Sequence, residues 1–205
     1  MRDAAGAVPT PKGRSGATIP GEYFRALYRR SADPWNFAAS EYERRKYRTT
    51  LAALPRERYR SALELGCSIG VFTRMLAERC DDVLAVDVSG EALAQAAYRC
   101  AGMAHVRFAA CELPGSFPAF RGDLVTLCEL GFYFGPADLA RIRDGIAASL
   151  EPGGDVLLVH WTPLVEGHAQ TADDVHEAFL ADPRFVRGAH ADGPTYRLDH
   201  VSRRR

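Results

Sequence analysis

The sequence predicts an α/β fold, a doubly wound, seven-stranded, mostly parallel sheet with helices on both faces and an N-terminal helical lid. Three observations carry this. From residue 62 onwards, short apolar runs alternate with stretches patterned at helical spacing, as in a sheet covered on both sides. The first run, residues 62–65, breaks at a small-residue turn, Gly66-Cys67-Ser68-Ile69-Gly70, which opens directly into a helix-patterned segment, residues 71–79. The second run, residues 82–88, carries a carboxylate, Asp87, at its C-terminal end.

Composition bounds the class. With 205 residues, 47% of them hydrophobic and 25% charged, the chain is most simply one globular domain with a sizeable core. Lys+Arg and Asp+Glu balance at 26 each, so no global field draws a polyanion or a membrane surface, which argues against nucleic acid as substrate. The five cysteines (67, 80, 100, 111, 128) are odd in number and scattered, with no C-x-x-C pair. They read as reduced thiols in the cytoplasm, neither a disulfide framework nor a zinc site. No apolar run approaches transmembrane length. Residues 1–18, rich in Gly, Ala, Pro and Arg, lack the hydrophobic core of a signal peptide and are expected to be a disordered leader. That leaves residues 19–205 as a single domain, with residues 19–54 as the lid and a monomer or homodimer as the assembly.

In chain order, Phe24, Leu27 and Tyr28 lie at helical spacing, Pro34 breaks that helix, and a second helix runs over residues 41–54 to end before Pro55. This region is both aromatic and basic, which suits either an amphipathic cover on the sheet or a lid whose aromatics seal a site. The turn at residues 66–70 joins a strand to a helix N-terminus, where exposed backbone N–H groups meet a ligand. Ser68 in its middle predicts a turn that needs no left-handed backbone there. Asp87, about 20 residues on, is placed to accept both ribose hydroxyls of an adenosine-containing cofactor, with Val88 beside it; capping the next helix is its alternative role, shared with Ser89.

Residues 105–110 read as the third strand and 111–118 as a loop on the ligand side of the sheet. There Glu112 either holds a ring amine, with the backbone N–H of Leu113 on a ring nitrogen, or is a surface glutamate. The fourth strand, residues 122–130, ends with Glu129, which either faces the crevice or pairs internally, because a lone buried carboxylate is costly. Tyr133 follows at the same rim. A helix over residues 137–150 stops at Glu151-Pro152-Gly153-Gly154, and the strand 155–161 delivers His160 and Trp161. A helix over 171–180 and strands over 184–190 and 196–202 complete the chain, the last strand expected antiparallel.

Two glycine fingerprints compete for the turn. The nicotinamide or flavin pattern, G-x-G-x-x-G, falls on Gly66, Ser68 and Val71, and only the first matches. The pattern acid-x-G-x-G-x-G falls on Glu64, Gly66, Ser68 and Gly70, and misses only at the serine. Together with Asp33-Pro34-Trp35, Tyr42-Glu43 with Lys46, Ala85-Val86-Asp87-Val88, residues 122–125, Glu129 with Tyr133, and residues 150–154, this set resembles the class I S-adenosylmethionine-dependent methyltransferases, whose fold is Rossmann-like. More narrowly it resembles the NodS-like group, named for a nodulation enzyme that N-methylates the amino sugar of a deacetylated chitooligosaccharide. The resemblance spans about residues 23–165.

It implies S-adenosylmethionine as cofactor, its methionine portion held by the turn (Glu64, Gly66, Cys67, Gly70) and its ribose by Asp87. It also implies that Trp35 and Lys46 close over the cofactor, with Lys46 near the carboxylate. Lysine there keeps the charge of the more usual arginine but loses the bidentate fork. Cys111 stands where many relatives carry an aspartate beside the adenine. The chain after His160 departs from the nodulation enzyme, so the acceptor is not carried over.

For methyl transfer to an amine, Glu129 would orient the ammonium, His160 would act as base, and Tyr133 would position the acceptor. Each has a structural alternative: a paired carboxylate, a satisfied strand-end histidine, a core tyrosine. His160, His168 and His176 with Asp173 or Asp174 offer metal-ligand types at irregular spacing, and no metal is expected. The sequence therefore predicts an enzyme that methylates an amino group of a small polar acceptor, such as an amino sugar or sugar-containing natural product. The alternatives are a small-molecule O-methyltransferase and a non-catalytic cofactor-binding or assembly domain.

Overall fold

Seven strands form one sheet in the order β3-β2-β1-β4-β5-β7-β6 in the computed structural model, which describes residues 16–205. The strands are β1 (Tyr59–Leu65), β2 (Cys80–Asp87), β3 (Val106–Ala110), β4 (Gly122–Cys128), β5 (Leu150–Trp161), β6 (Phe185–Asp192) and β7 (Tyr196–Arg203). Strands β1 to β5 pair in parallel; β7 runs antiparallel to both β5 and β6. Strand order reverses at β1, which lies between β2 and β4, and a crevice opens beyond their C-terminal ends, the position where open α/β sheets bind ligands.

The helices are α1 (Gly21–Arg30), α2 (Glu41–Ala52), α3 (Val71–Ala77), α4 (Gly90–Arg99), α5 (Pro136–Ser149) and α6 (Ala172–Leu180), with a single 3₁₀ turn at Gly131–Tyr133. Two apolar clusters sit on the two faces of the sheet. One packs Leu63, Leu65, Val125 and Leu127 under Ile142, Ile146 and Phe179; the other packs Ala62, Leu124 and Leu157 under Phe72, Leu76 and Tyr47. Ser89 caps α4 by accepting from Ala92 N at 3.3 Å, and Thr171 forms a capping box with Asp174.

Two boundaries differ from expectation. β5 begins at Leu150, opposite Gly122, so the Glu151-Pro152-Gly153-Gly154 stretch is an irregularity within the strand pairing and not a loop before it. Gly153, at φ 78°, supplies the left-handed residue that lets the strand resume. The expected leader, residues 1–18, falls mostly outside the described residues. Its end is tied down: the Thr18 hydroxyl donates to Asp138 at 2.5 Å and accepts from Gly135 N at 2.9 Å.

The Asp33-Pro34-Trp35 stretch has a physical role. The Asp33 carboxylate accepts from Phe37 N (2.9 Å) and Ala38 N (2.8 Å), closing a loop in which Asn36 takes φ 58°. That loop presents Trp35 stacked on Phe37, ring centroids 5.7 Å apart, over the crevice.

Candidate functional site

The crevice holds a cavity of about 400 Å³ whose floor is the C-terminal ends of β1, β2 and β4 and whose roof comes from α1, α2 and the loop between them. Gly66 (φ 75°) and Gly70 (φ 77°) both need left-handed backbone. A Cβ on Gly70 would lie 2.8 Å from Cα of Ala96, so only glycine lets α3 start against α4. Ser68, however, is also left-handed, at φ 51°, contrary to the reading that a serine marks a relaxed position. The reason lies in its bonds: its hydroxyl accepts from Tyr28 Oη at 2.5 Å, and its N–H donates to Asp87 Oδ2 at 2.9 Å. Serine thus joins the turn to the lid helix, which glycine has no atom to do.

Asp87 faces the cavity, and its oxygens accept from Ser68 N and, at 3.0 Å, from Ser89 N. Burial raises its pKa, and the backbone N–H groups of Ser89, Ser68 and Val88 oppose that rise. Glu64 is more deeply buried. Its Oε2 has no hydrogen-bond partner among the described residues, and burial pushes its carboxyl up to about 7, with the Thr73 hydroxyl opposing the shift and the charge of Asp87 adding to it. An orphaned carboxylate beside a glycine cradle fits the ammonium of the methionine portion of S-adenosylmethionine, and Asp87 fits its ribose.

Lys46 does not stand open to a cofactor carboxylate. Its buried ammonium lies 2.8 Å from Glu43 Oε2 and 2.7 Å from Glu129 Oε1. Burial would lower its pKa, but these two carboxylates hold it above the ordinary lysine value. Glu43, three residues earlier on α2 and quoted with Lys46 in the sequence pattern, is its partner, a role its i,i+3 spacing makes readable. Glu129 is both paired and at the cavity wall: it takes φ 52°, bonds Lys46 through Oε1, and accepts from Trp161 N at 2.9 Å through Oε2.

Val88, Cys111, Glu112 and Leu113, the residues expected beside an adenine, also line the cavity. Glu112 is ion-paired with Arg25 of α1 at 2.5 Å, and its backbone N–H donates to Ser116 Oγ. The Cys111 thiol donates to Ser116 O at 3.0 Å, and its N–H bonds Asp87 O, so this residue shapes the loop. Cys67 is buried in the turn, with its N–H on Val86 O. Trp35 meets Tyr28 edge-on at 5.6 Å, completing the aromatic roof.

Tyr133 faces the cavity between Phe24 (4.8 Å), Phe132 (4.7 Å) and His168 (5.0 Å). Burial raises its pKa. His160 is a correction. It is fully buried and lines no part of the cavity. Its Nε2 accepts from Gly131 N at 2.9 Å, which leaves the proton on Nδ1 to bond His176 Nε2 at 3.0 Å. His176 in turn donates from Nδ1 to Asp199 at 2.7 Å. Burial, followed by the charges of His176, Lys46 and His168, drives the His160 pKa well below the ordinary histidine value. With both nitrogens bonded inside the core, His160 has no lone pair to offer a substrate. The histidines considered as a metal set are therefore split: His160 and His176 bond each other, and only His168 reaches the cavity.

The family model for nodulation protein S (NodS) matches residues 25–151. The chain belongs to the NodS family. It is 31% identical over 102 residues to nodulation protein S of Bradyrhizobium diazoefficiens, covering 49% of each chain. It is 29% identical over 129 residues to that of Rhizobium tropici, covering 61% of this chain and 53% of the relative, so it spans about half the length of these curated relatives. Among solved structures, a Pseudomonas syringae protein described as a methyltransferase is 40% identical with a TM-score of 0.71, covering 80% of this chain and 100% of that one. The N-methyltransferase NodS of Bradyrhizobium japonicum WM9, in complex with S-adenosyl-L-homocysteine, shares the fold at a TM-score of 0.76 and 23% identity, covering 88% of this chain and 97% of that one. The seven-stranded sheet is thus the class I methyltransferase, Rossmann-like fold.

Proposed function

We propose that this NodS-family protein is an S-adenosylmethionine-dependent N-methyltransferase whose acceptor is an amino group of a small polar molecule, an amino sugar or a sugar-containing natural product. The observation that carries the reading is one cavity with two unlike ends. At one end the glycine turn, the orphaned Glu64 and Asp87 suit an adenosyl amino acid; at the other Glu129 and Tyr133 stand among aromatic rings. No helix among the described residues is long and apolar enough to cross a membrane.

S-adenosylmethionine supplies an electrophilic methyl group on a sulfonium. The protein's own task is to hold nucleophile, methyl carbon and sulfur in line, and such positioning lowers barriers by about 7–11 kcal/mol. Glu64 and the backbone of residues 66–70 hold the methionine end, Asp87 the ribose. Glu129 orients an arriving ammonium, its own place fixed by Lys46 and Trp161 N. Phe24, Phe132 and Tyr133 exclude water and offer π faces to a methylated ammonium.

The test is transfer of a labelled methyl group from S-adenosylmethionine to a panel of aminated sugars and deacetylated chitooligosaccharides, with S-adenosylhomocysteine binding followed by calorimetry. Binding together with transfer to at least one amine is the expected result. An absence of heat at millimolar ligand removes the cofactor assignment, and binding with transfer only to hydroxyl acceptors removes the amine. Asp87→Ala should weaken S-adenosylhomocysteine at least tenfold, about 1.4 kcal/mol, because charge-assisted bonds to ribose are lost.

A further inference from the structure

His168 lies on the loop between β5 and α6, beyond the stretch that matches the family model. Its ring stacks on Phe132, centroids 4.3 Å apart and planes 16° from parallel, and meets Tyr133 edge-on. Neither ring nitrogen has a hydrogen-bond partner among the described residues. The Tyr133 hydroxyl beside it also has no bond among the described residues. His168 borders two spaces at once: the cavity, and a second hollow formed by residues 161–172 with Asp174. His160 offers the contrast, with both nitrogens committed.

We propose that His168 is the group that takes the proton from the acceptor's ammonium. The inference rests on the amine-methylating reading above and gives the base role to a residue that neither the family match nor any motif reaches. An imidazole nitrogen of His168 accepts a proton from R–NH3⁺, leaving R–NH2 with a free lone pair. That pair forms the N–CH3 bond while the C–S bond breaks, and the bonding electrons return to sulfur as a neutral thioether. The imidazolium then releases its proton through the second hollow to solvent.

Burial lowers the His168 pKa from the ordinary histidine value, so the neutral form that accepts a proton prevails at neutral pH. The groups around it are Tyr133 on the 3₁₀ turn, neutral His160 behind Phe132, the Lys46–Glu129 pair across the cavity, Tyr23 on α1, and Glu166 and Asp174 at the second hollow. Stacking on Phe132 fixes the ring plane without using either nitrogen, which suits a base that must stay free until substrate arrives.

The test compares wild type with His168→Gln and His168→Phe, the latter keeping the stack. Methyl transfer to whichever amine of the panel turns over is measured from pH 6 to 9, with S-adenosylhomocysteine affinity measured in parallel. Both variants should lose about 10²-fold or more in kcat near neutrality. Their cofactor affinity should stay unchanged, and the deficit should shrink as pH rises, because solvent then deprotonates the amine. In wild type the His168 ring protons should titrate below the ordinary histidine value by NMR. A deficit equal at every pH, full activity in His168→Phe, or no transfer to any amine by a protein that binds S-adenosylhomocysteine overturns the assignment. Loss of S-adenosylhomocysteine binding in wild type would instead overturn the cofactor reading.

Discussion

Glu64 lies on β1 and Glu129 just past the end of the neighbouring parallel strand β4, and both face one cavity, yet their surroundings differ. Glu129 has Lys46 at 2.7 Å and a backbone N–H at 2.9 Å, and Lys46 is shared with Glu43. Glu64, almost wholly buried, has an oxygen bonded to nothing among the described residues and a carboxyl pushed up to about 7. A buried carboxylate with a resident cation belongs to the folded protein; one without a partner is poised for a cationic ligand. On the proposed reading, Glu129 is held in place by the folded protein before an acceptor arrives, whereas the Glu64 end is completed by the cofactor.

Removing the resident cation should break the comparison most severely. Lys46→Met leaves Glu43 and Glu129 buried and unpaired, and should cost about 3–5 kcal/mol in urea unfolding at pH 7.

Glu64 should act in the opposite sense. Its folded pKa of about 7 lies above the ordinary 4.5, so the folded state binds this proton more tightly than the unfolded chain. Stability from this group is complete below about 4.5 and is lost as pH rises through about 7. Glu64→Gln should therefore match wild type near pH 5 and gain on it by pH 8, by on the order of 3 kcal/mol in ligand-free protein. S-adenosylmethionine should narrow that gap, because its ammonium compensates the wild-type carboxylate.

A smaller effect is expected of Glu129→Gln, which keeps the acceptor for Trp161 N but removes one charge from Lys46. Stability should fall by about 1.5–3 kcal/mol, and turnover should fall while S-adenosylhomocysteine affinity holds. If turnover and affinity both stay at wild-type values, Glu129 is purely structural. The smallest change sharpens the lid contact. Tyr28→Phe removes the bond to Ser68 and should cost about 0.5–1.5 kcal/mol, with a weaker cofactor affinity in calorimetry.

The sequence by itself determined the architecture and the small-residue turn with its nearby carboxylate, on which the proposed cofactor end rests. Alternation of apolar and amphipathic runs is a local property, and it reports strands and helices because each must bury one face or stripe. Gly66, Gly70 and Asp87 were legible for the same reason: a strand-turn-helix needs particular residues at fixed spacing, so the requirement is written in adjacent letters. Only the tertiary structure decided which carboxylates are paired and which histidine is free. Ser68 looked like a harmless substitution until Tyr28, forty positions earlier, was seen to bond it. Lys46 and Glu129 lie 83 positions apart, and the pairing that neutralises them exists only once α2 folds over β4. His160 and His168 are the same residue type eight positions apart, and nothing in their spacing separates them. One is consumed by Gly131 N and His176; the other leans on Phe132, its ring nitrogens unbonded among the described residues. Proton affinity depends on burial and on partners brought from distant parts of the chain, and so it is set by packing.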